Sequence, residues 1–121
     1  MILEVPTTSV PPPQAVNAAG ARQLINAGNT IVIDVRTEQE IAGCGHLKGA
    51  RRIDFSSPDF AENIAALARI NVYLLIYCQS GIRGLRTGML MEKLGFVHVY
   101  ILDGGINTWL RAGLPTLHDQ Q

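Results

Sequence analysis

The amino-acid sequence predicts an α/β fold in which helices cover both faces of a parallel sheet. Apolar runs of strand length alternate with segments of helical pattern, and most of these runs are apolar on both faces. Such runs are typical of parallel strands, because crossover helices bury both sides of the sheet. The 121 residues have the size of one ordinary domain.

The first predicted elements are an arm and a helix. Prolines and polar residues predict an extended arm over residues 1–14, which leaves a single domain over residues 15–118. Asn17 is a favourable N-cap for a helix over roughly 18–27, and Gly28 is a favourable residue to end that helix.

A strand and a short helix follow. Residues 31–35 form an apolar run rich in β-branched side chains, which predicts a buried strand. Thr37 and Glu40 have the spacing of a capping box, so a second helix should begin there. Gly43 and Gly45 should break this helix early.

The rest of the chain repeats the alternation. Residues 50–55 predict a weaker strand, and Ser57-Pro58-Asp59 predicts the start of a helix that runs to about Arg69. Beyond it, the pattern predicts strands at 72–78 and 97–102 and helices at 82–94 and 105–112, which end at Gly95 and Gly113.

The composition argues against several classes of function. Ten basic and ten acidic residues give a net charge of zero, so no nucleic-acid partner and no attraction to an anionic membrane are predicted. No run approaches the ~20 apolar residues of a membrane-spanning helix. The histidines are scattered and the two cysteines form no C-x-x-C pair, which predicts neither a metal site nor a disulfide framework. No nucleotide or flavin motif points to a cofactor.

The N-terminal segment bears on localisation. It has neither the basic region nor the apolar run of a signal peptide. For a complete chain this predicts a cytoplasmic protein, whereas in a processed mature form an export signal would already have been removed.

The segment IYCQSGIRGLR joins the most apolar strand to a helix. Cys78 ends this strand, and parallel sheets bind ligands outside the carboxyl ends of their strands. The N-terminus of the following helix, the turn that Gly81 permits and the charge of Arg83 all favour a thiolate or persulfide on Cys78. The same groups could hold an anionic donor such as thiosulfate. A buried structural cysteine is the alternative interpretation.

The spacing of this loop separates two kinds of anion chemistry. Four residues lie between Cys78 and Arg83, whereas cysteine-dependent phosphatases have a longer spacer that accommodates a phosphoryl group. The tighter loop suits a terminal sulfur better than a tetrahedral phosphate, which disfavours a phosphatase or an arsenate reductase.

Four motifs in order resemble those of the rhodanese family of sulfurtransferases: IDVRTEQE, GHLKGA, YCQSGIRG and LDGGINTWLRAGLP. The resemblance covers nearly all of the chain beyond the N-terminal arm. It implies a rhodanese-like fold with a central five-stranded parallel sheet and helices on both faces. It also implies a catalytic cysteine that takes a sulfane sulfur as a persulfide and passes it to cyanide or a thiol.

Carried over residue by residue, the resemblance makes Cys78 the nucleophile. Ser80 would offer its hydroxyl to the outer sulfur, and Arg83 would be the partner of the anion. The backbone N–H groups of the persulfide-binding loop would cradle the sulfur; its residues are Gln79, Ser80, Gly81, Ile82 and Arg83.

The chain departs from the family at several positions near the site. Gln79 stands where thiosulfate-using members often have arginine, which weakens the case for thiosulfate as the natural donor. Gly84 replaces the usual serine or alanine. If their segment reaches the pocket, three basic residues could compensate for Gln79: Lys48, at the usual proline of the second motif, Arg51 and Arg52. Arg86 lies on the same helical face as Arg83 and either adds to the positive charge over the loop or is simply solvated.

Other residues near these motifs receive structural roles. Asp34 and Arg36 are expected to form ion pairs without chemistry, and His46 is expected to order its segment by hydrogen bonding. Cys44 is either an incidental thiol or a resolving partner of Cys78, and Trp109 is expected in the core.

Three functions remain compatible with the sequence. The first is an enzyme that moves sulfane sulfur from thiosulfate or a persulfide to cyanide or a thiol. The second is a sulfur carrier or persulfide-binding module that serves a protein partner and uses thiosulfate poorly. The third is a non-catalytic regulatory domain of rhodanese type, which the presence of Cys78 disfavours.

Overall fold

A five-stranded parallel sheet forms the centre of the structure, a computed structural model that describes residues 11–67 and 72–119. Every strand pair in the sheet is parallel, and the strand order is β1-β5-β4-β2-β3. The strands are β1 (Gln14–Val16), β2 (Thr30–Asp34), β3 (Arg51–Arg52), β4 (Tyr73–Tyr77) and β5 (Val99–Leu102). This confirms the predicted fold class.

Helices cover both faces of the sheet. The helices are α1 (Ala18–Ala27), α2 (Glu38–Cys44), α3 (Phe60–Ala65), α4 (Ile82–Lys93) and α5 (Gly105–Arg111). One core lies between the sheet and helices α3 and α4, and it includes Phe60, Ile64 and Met91. The second core lies on the opposite face beneath α1 and α5, and it includes Ala21, Ile106 and Trp109.

Strand β4 contributes to both cores, together with Cys78, which directly follows the strand and is not its predicted last residue. Ile76 and Cys78 belong to the core beneath α3 and α4, while Leu75 and Tyr77 belong to the core beneath α1 and α5. All four residues are at most 1% exposed. This alternation of fully buried side chains explains why the strand is apolar at every position.

The predicted helix caps are present. The Asn17 side chain accepts a hydrogen bond from Gly20 N at 2.9 Å, and Gly28 ends α1 with a φ of +95°. At the start of α2, Thr37 Oγ1 accepts from Glu40 N at 3.2 Å and Glu40 Oε1 accepts from Thr37 N at 3.0 Å. These reciprocal bonds fix the position of the Glu40 carboxylate, which matters for the site described below.

The structure differs from the sequence predictions at some boundaries. The sequence predicts no strand between the arm over 1–14 and the first helix, yet β1 begins at Gln14. The weak strand at 50–55 is reduced to Arg51–Arg52, and Gly43 lies within α2, which ends only at Gly45. Among the described residues, no helix is long and apolar enough to cross a membrane.

The start of α3 also differs. The helix begins at Phe60, after an N-cap residue, Asp59, whose side chain caps nothing. Ser57 instead accepts a hydrogen bond from Asp59 N in a turn that precedes the helix. The helix ends at Ala65 with Ala66 as its C-cap, earlier than the predicted end near Arg69, a position that itself lies outside the described residues.

Candidate active site

The loop between β4 and α4 encloses the sulfur of Cys78. Cys78 is 1% exposed, and its Sγ accepts hydrogen bonds from Gly81 N at 3.0 Å and from Gly84 N at 3.3 Å. The φ of Gly81 is +117°, a conformation that glycine adopts without strain. Backbone N–H groups that converge in this way form a cradle for negative charge.

The start of α5 supports the loop from outside. Ile106 N donates to the carbonyl of Cys78 at 2.9 Å, and Asn107 N donates to the carbonyl of Gln79 at 3.2 Å. Gly105 lies so close that a Cβ atom at this position would be 2.6 Å from the Cys78 carbonyl oxygen and 2.5 Å from that of Gln79. Hydrogen bonds to the start of α5 therefore fix the two loop carbonyls.

Gly84 leaves space beside the sulfur. A Cβ atom at this position would be 3.7 Å from Cys78 Sγ and 3.4 Å from Ile101 Cγ2. An alanine would fit there in ordinary contact, so the departure from the family pattern widens the surroundings of the sulfur by about one methyl group.

Arg83 is held by an acidic residue from α2. Its Nη1 and Nη2 donate to Glu40 Oε1 and Oε2 at 2.9 and 2.7 Å. Hydrogen bonding to this guanidinium lowers the pKa of Glu40 to about 2, and the same pair raises the pKa of Arg83. The capping-box spacing predicts only a helix-capping role for Glu40. The signal that points to a role in the site is its place as the last residue of the family motif IDVRTEQE.

Gln79 faces a buried arginine. Its Oε1 accepts from Arg36 Nη1 at 3.1 Å, and its Nε2 donates to Asn107 Oδ1 at 2.8 Å. The same Nε2 lies 3.6 Å from the sulfur of Cys44, the last residue of α2. Gln79 therefore connects the loop to α2 and α5, a role that its sequence position did not indicate.

Arg36 and Asp34 form the expected ion pair. Their side chains are fully buried, with Arg36 Nη2 and Nε donating to the two carboxylate oxygens at 2.7 and 2.9 Å. Arg36 also donates to the carbonyl of Gly45 at 2.7 Å, and its guanidinium lies 5.4 Å from the centre of the Tyr77 ring. A buried charge satisfied on all sides in this way is a structural element of the site.

The remaining predicted loop residues are exposed. Ser80 is exposed, and Ile82 is 63% exposed at the first position of α4. Arg86 is exposed one turn further along the same helix. The predicted contact of Ser80 with an outer sulfur stays a prediction.

The basic residues around β3 face other parts of the surface. Lys48 lines a cleft with Ile25 and Trp109, on the face covered by α1 and α5. Arg52 forms ion pairs with Glu38, at 3.2 Å, and with Asp119. These contacts of Lys48 and Arg52 do not involve the loop. That the basic residues support the site stays a prediction.

His46 has the kind of role that the sequence predicts. Its Nδ1 lies 2.9 Å from the carbonyl oxygen of Leu47, and its Nε2 lies 3.2 Å from Asp119. His46 also pairs through its backbone with Leu117. These contacts order the segment before β3.

In residues 11–67 and 72–119, no group of three or more His, Cys, Asp or Glu side chains is arranged to hold a metal ion.

The pair of Glu40 and Arg83 predicts a pH dependence of stability. The pKa of Glu40 is about 2 in the folded protein, against an ordinary value of 4.5, so the unfolded chain binds the proton more readily. The pair therefore stabilises the fold fully above about pH 5, and its contribution is lost as the pH falls toward about 2. Urea unfolding of wild type and Glu40→Gln should show a difference in stability that is constant near neutrality and smaller at about pH 3. A difference that does not change with pH would contradict this.

Comparison with known proteins identifies relatives along nearly the whole chain. Residues 17–112 match the family described as rhodanese-like domain. The chain is 33% identical over 115 residues to thiosulfate sulfurtransferase GlpE of Stutzerimonas stutzeri, and the match covers 93% of this chain and 94% of that protein. It is 30% identical over 113 residues to the chloroplastic thiosulfate sulfurtransferase 16 of Arabidopsis thaliana, covering 86% and 92%.

Solved structures share the fold. A rhodanese-related protein from Thermoplasma volcanium superposes with a TM-score of 0.76 at 24% identity. The superposition covers 88% of this chain and 99% of that one.

Proposed function

We propose that this chain, which belongs to the family of rhodanese-like domains, transfers sulfane sulfur through a persulfide on Cys78. The family acts on small sulfur donors and acceptors, and both curated relatives are named thiosulfate sulfurtransferases. The observation that carries the proposal is the pair of backbone N–H groups, from Gly81 and Gly84, that converge on Cys78 Sγ at the end of the central strand.

In the first half-reaction, the Cys78 thiolate attacks the outer sulfur of the donor. A bond forms between Sγ and that sulfur, and the bond that held the sulfur to the donor breaks. The electron pair of the broken bond leaves with the remainder of the donor, which is sulfite from thiosulfate or a thiolate from a persulfide. The product on the protein is the Cys78 persulfide.

In the second half-reaction, cyanide or a thiolate attacks the outer sulfur of the Cys78 persulfide. The sulfur–sulfur bond breaks toward Cys78, which releases thiocyanate or a new persulfide and restores the thiolate. Negative charge thus stays at the loop throughout the cycle. The backbone N–H groups of Gly81 and Gly84 already point at this charge as hydrogen-bond donors. They therefore need little reorganisation during either step.

A second candidate is a sulfur carrier that delivers the persulfide to a protein. The observation that favours it is a row of exposed apolar side chains on α4, next to the loop: Ile82, Leu85 and Met89 are 63%, 53% and 51% exposed. Such a row beside a reactive sulfur suits contact with a macromolecular acceptor. This candidate uses the same persulfide and differs only in the acceptor.

Mass spectrometry of the intact protein tests the shared step. After incubation with a sulfane donor, the wild type should gain about one sulfur atom, which cyanide should remove. Cys78→Ser should gain none. Cys44→Ser is the matched control, since it removes the other free thiol, and it should load as wild type does. Cyanide-labile sulfur on Cys78→Ser at the wild-type level would show that the assignment is wrong.

A further inference from the structure

We propose that Glu40 determines the charge of the donors that this site accepts. By holding Arg83, it disfavours dianionic donors such as thiosulfate relative to donors that carry less charge. The inference rests on the proposed function of Cys78 and adds to it a specificity-determining residue outside the loop.

Glu40 holds Arg83 through a bidentate ion pair. Both terminal nitrogens of Arg83 donate to both carboxylate oxygens of Glu40, at 2.9 and 2.7 Å. The two side chains are 28% and 31% exposed, so the pair is partly shielded from water. Bidentate bonds between arginine and carboxylate are among the strongest hydrogen bonds of proteins. An anionic donor must therefore compete with Glu40 for the guanidinium.

Hydrogen bonds at the start of α2 hold Glu40 in place. Its Oε1 also accepts from Thr37 N at 3.0 Å and lies 3.3 Å from Thr37 Oγ1, within the capping box of α2. The carboxylate that occupies Arg83 is thus anchored to a helix and stays charged near neutral pH, since its pKa is about 2. Releasing Arg83 to a donor would leave this carboxylate without its cation.

Charge around the loop is also balanced. A second arginine in contact with the loop, Arg36, donates a hydrogen bond to Gln79, and its charge is matched by Asp34. Arg83 is matched by Glu40 in the same way. Each arginine is therefore already neutralised by a carboxylate before a sulfur donor binds. Neutralised arginines attract the second negative charge of a dianionic donor only weakly. A donor with a single negative charge depends less on this attraction, so its binding is weakened less.

Two donors with the same transferable sulfur but different charge provide the probe. Thiosulfate carries two negative charges and leaves as sulfite, and methanethiosulfonate carries one and leaves as methanesulfinate. In both cases the Cys78 thiolate takes the outer sulfur, and the electron pair of the broken bond departs with the leaving group. The ratio of their loading rates, measured by intact mass at low donor concentration, reports the preference for charge.

The decisive variant is Glu40→Gln. Glutamine keeps the size of the side chain and can serve at this position of a capping box, but it removes the carboxylate charge. We expect the loading rate with thiosulfate to rise about tenfold relative to methanethiosulfonate, because Arg83 becomes available to the second charge. The matched control is Glu38→Gln, which removes an acid from the same turn of α2 that pairs with Arg52 instead. Its donor ratio should equal that of wild type.

A double variant identifies the responsible cation. If freed Arg83 causes the gain, Glu40→Gln combined with Arg83→Gln should lose it. An unchanged ratio in Glu40→Gln, equal gains for both donors, or a gain that survives the loss of Arg83 would each overturn the inference. If wild type is loaded by neither donor, it is the proposed function that fails, so the two failures are distinguishable.

Discussion

Replacing Gly105 by alanine should destabilise the protein by about 3 kcal/mol or more and should largely abolish sulfur loading. Gly105 has a φ of +67°, which costs a residue with a side chain roughly 1–2 kcal/mol. The new Cβ atom would also lie 2.5 to 2.6 Å from two backbone carbonyl oxygens of the active-site loop. Because backbone cannot yield as a side chain can, α5 or the loop must move.

Gly113 provides the matched control for this experiment. It has a φ of +77°, but a Cβ atom there would have nothing within 4 Å. Gly113→Ala should therefore show the conformational strain alone, about 1–2 kcal/mol, with normal sulfur loading. Urea unfolding and intact mass would measure both quantities. If Gly105→Ala and Gly113→Ala lost the same amount of stability and of sulfur loading, the contact between α5 and the loop would not be tight enough to exclude a Cβ atom.

Asp34→Ala should lower the free energy of unfolding by about 3–5 kcal/mol. The substitution leaves the guanidinium of Arg36 buried without its counter-charge, and the side chains of both residues are 0% exposed. The carbonyl of Gly45 and the side chain of Gln79 would still accept hydrogen bonds from Arg36, but neither carries a charge. Urea unfolding at neutral pH would measure the loss.

A surface ion pair gives the control for Asp34. Glu38→Ala breaks the bond to Arg52, and Glu38 is 80% exposed, so the cost should be below about 1 kcal/mol. Combining Asp34→Ala with Arg36→Met should recover part of the loss, because no charge is then left buried. A cost for Asp34→Ala as small as that for Glu38→Ala would show that Arg36 is solvated in the folded state.

The parts of the fold that the sequence predicts are those with a local signal. β4 is a continuous apolar run, and β2 is apolar between Thr30 and Asp34. The caps at Asn17 and Thr37 depend on residues within one turn. β1 has no such signal, because it is three residues long and pairs with β5 alone at the edge of the sheet. The five-stranded count came from the resemblance to the family and not from the residue pattern.

The same distinction applies to the candidate site. The position of Cys78 between a strand and a helix is a local property, and the sequence predicts it. The partners of the loop are not local: Arg83 bonds Glu40 and Gln79 bonds Arg36, and each pair is 43 residues apart. Such contacts arise from the packing of distant segments against the loop, and the local pattern around Arg83 does not indicate its partner. From the sequence alone, Arg83 is therefore expected to be free to bind an anion, whereas in the structure its charge is already matched by Glu40.

The central place of β4 has a consequence for the timescale on which the site can change. Domains open locally from their edges, and their central elements separate only when the whole fold opens. β4 is bonded to β2 on one side and to β5 on the other, while β1 and β3 form the edges. Fraying of either edge therefore leaves Cys78 anchored, so the sulfur keeps its position for as long as the domain itself stays closed.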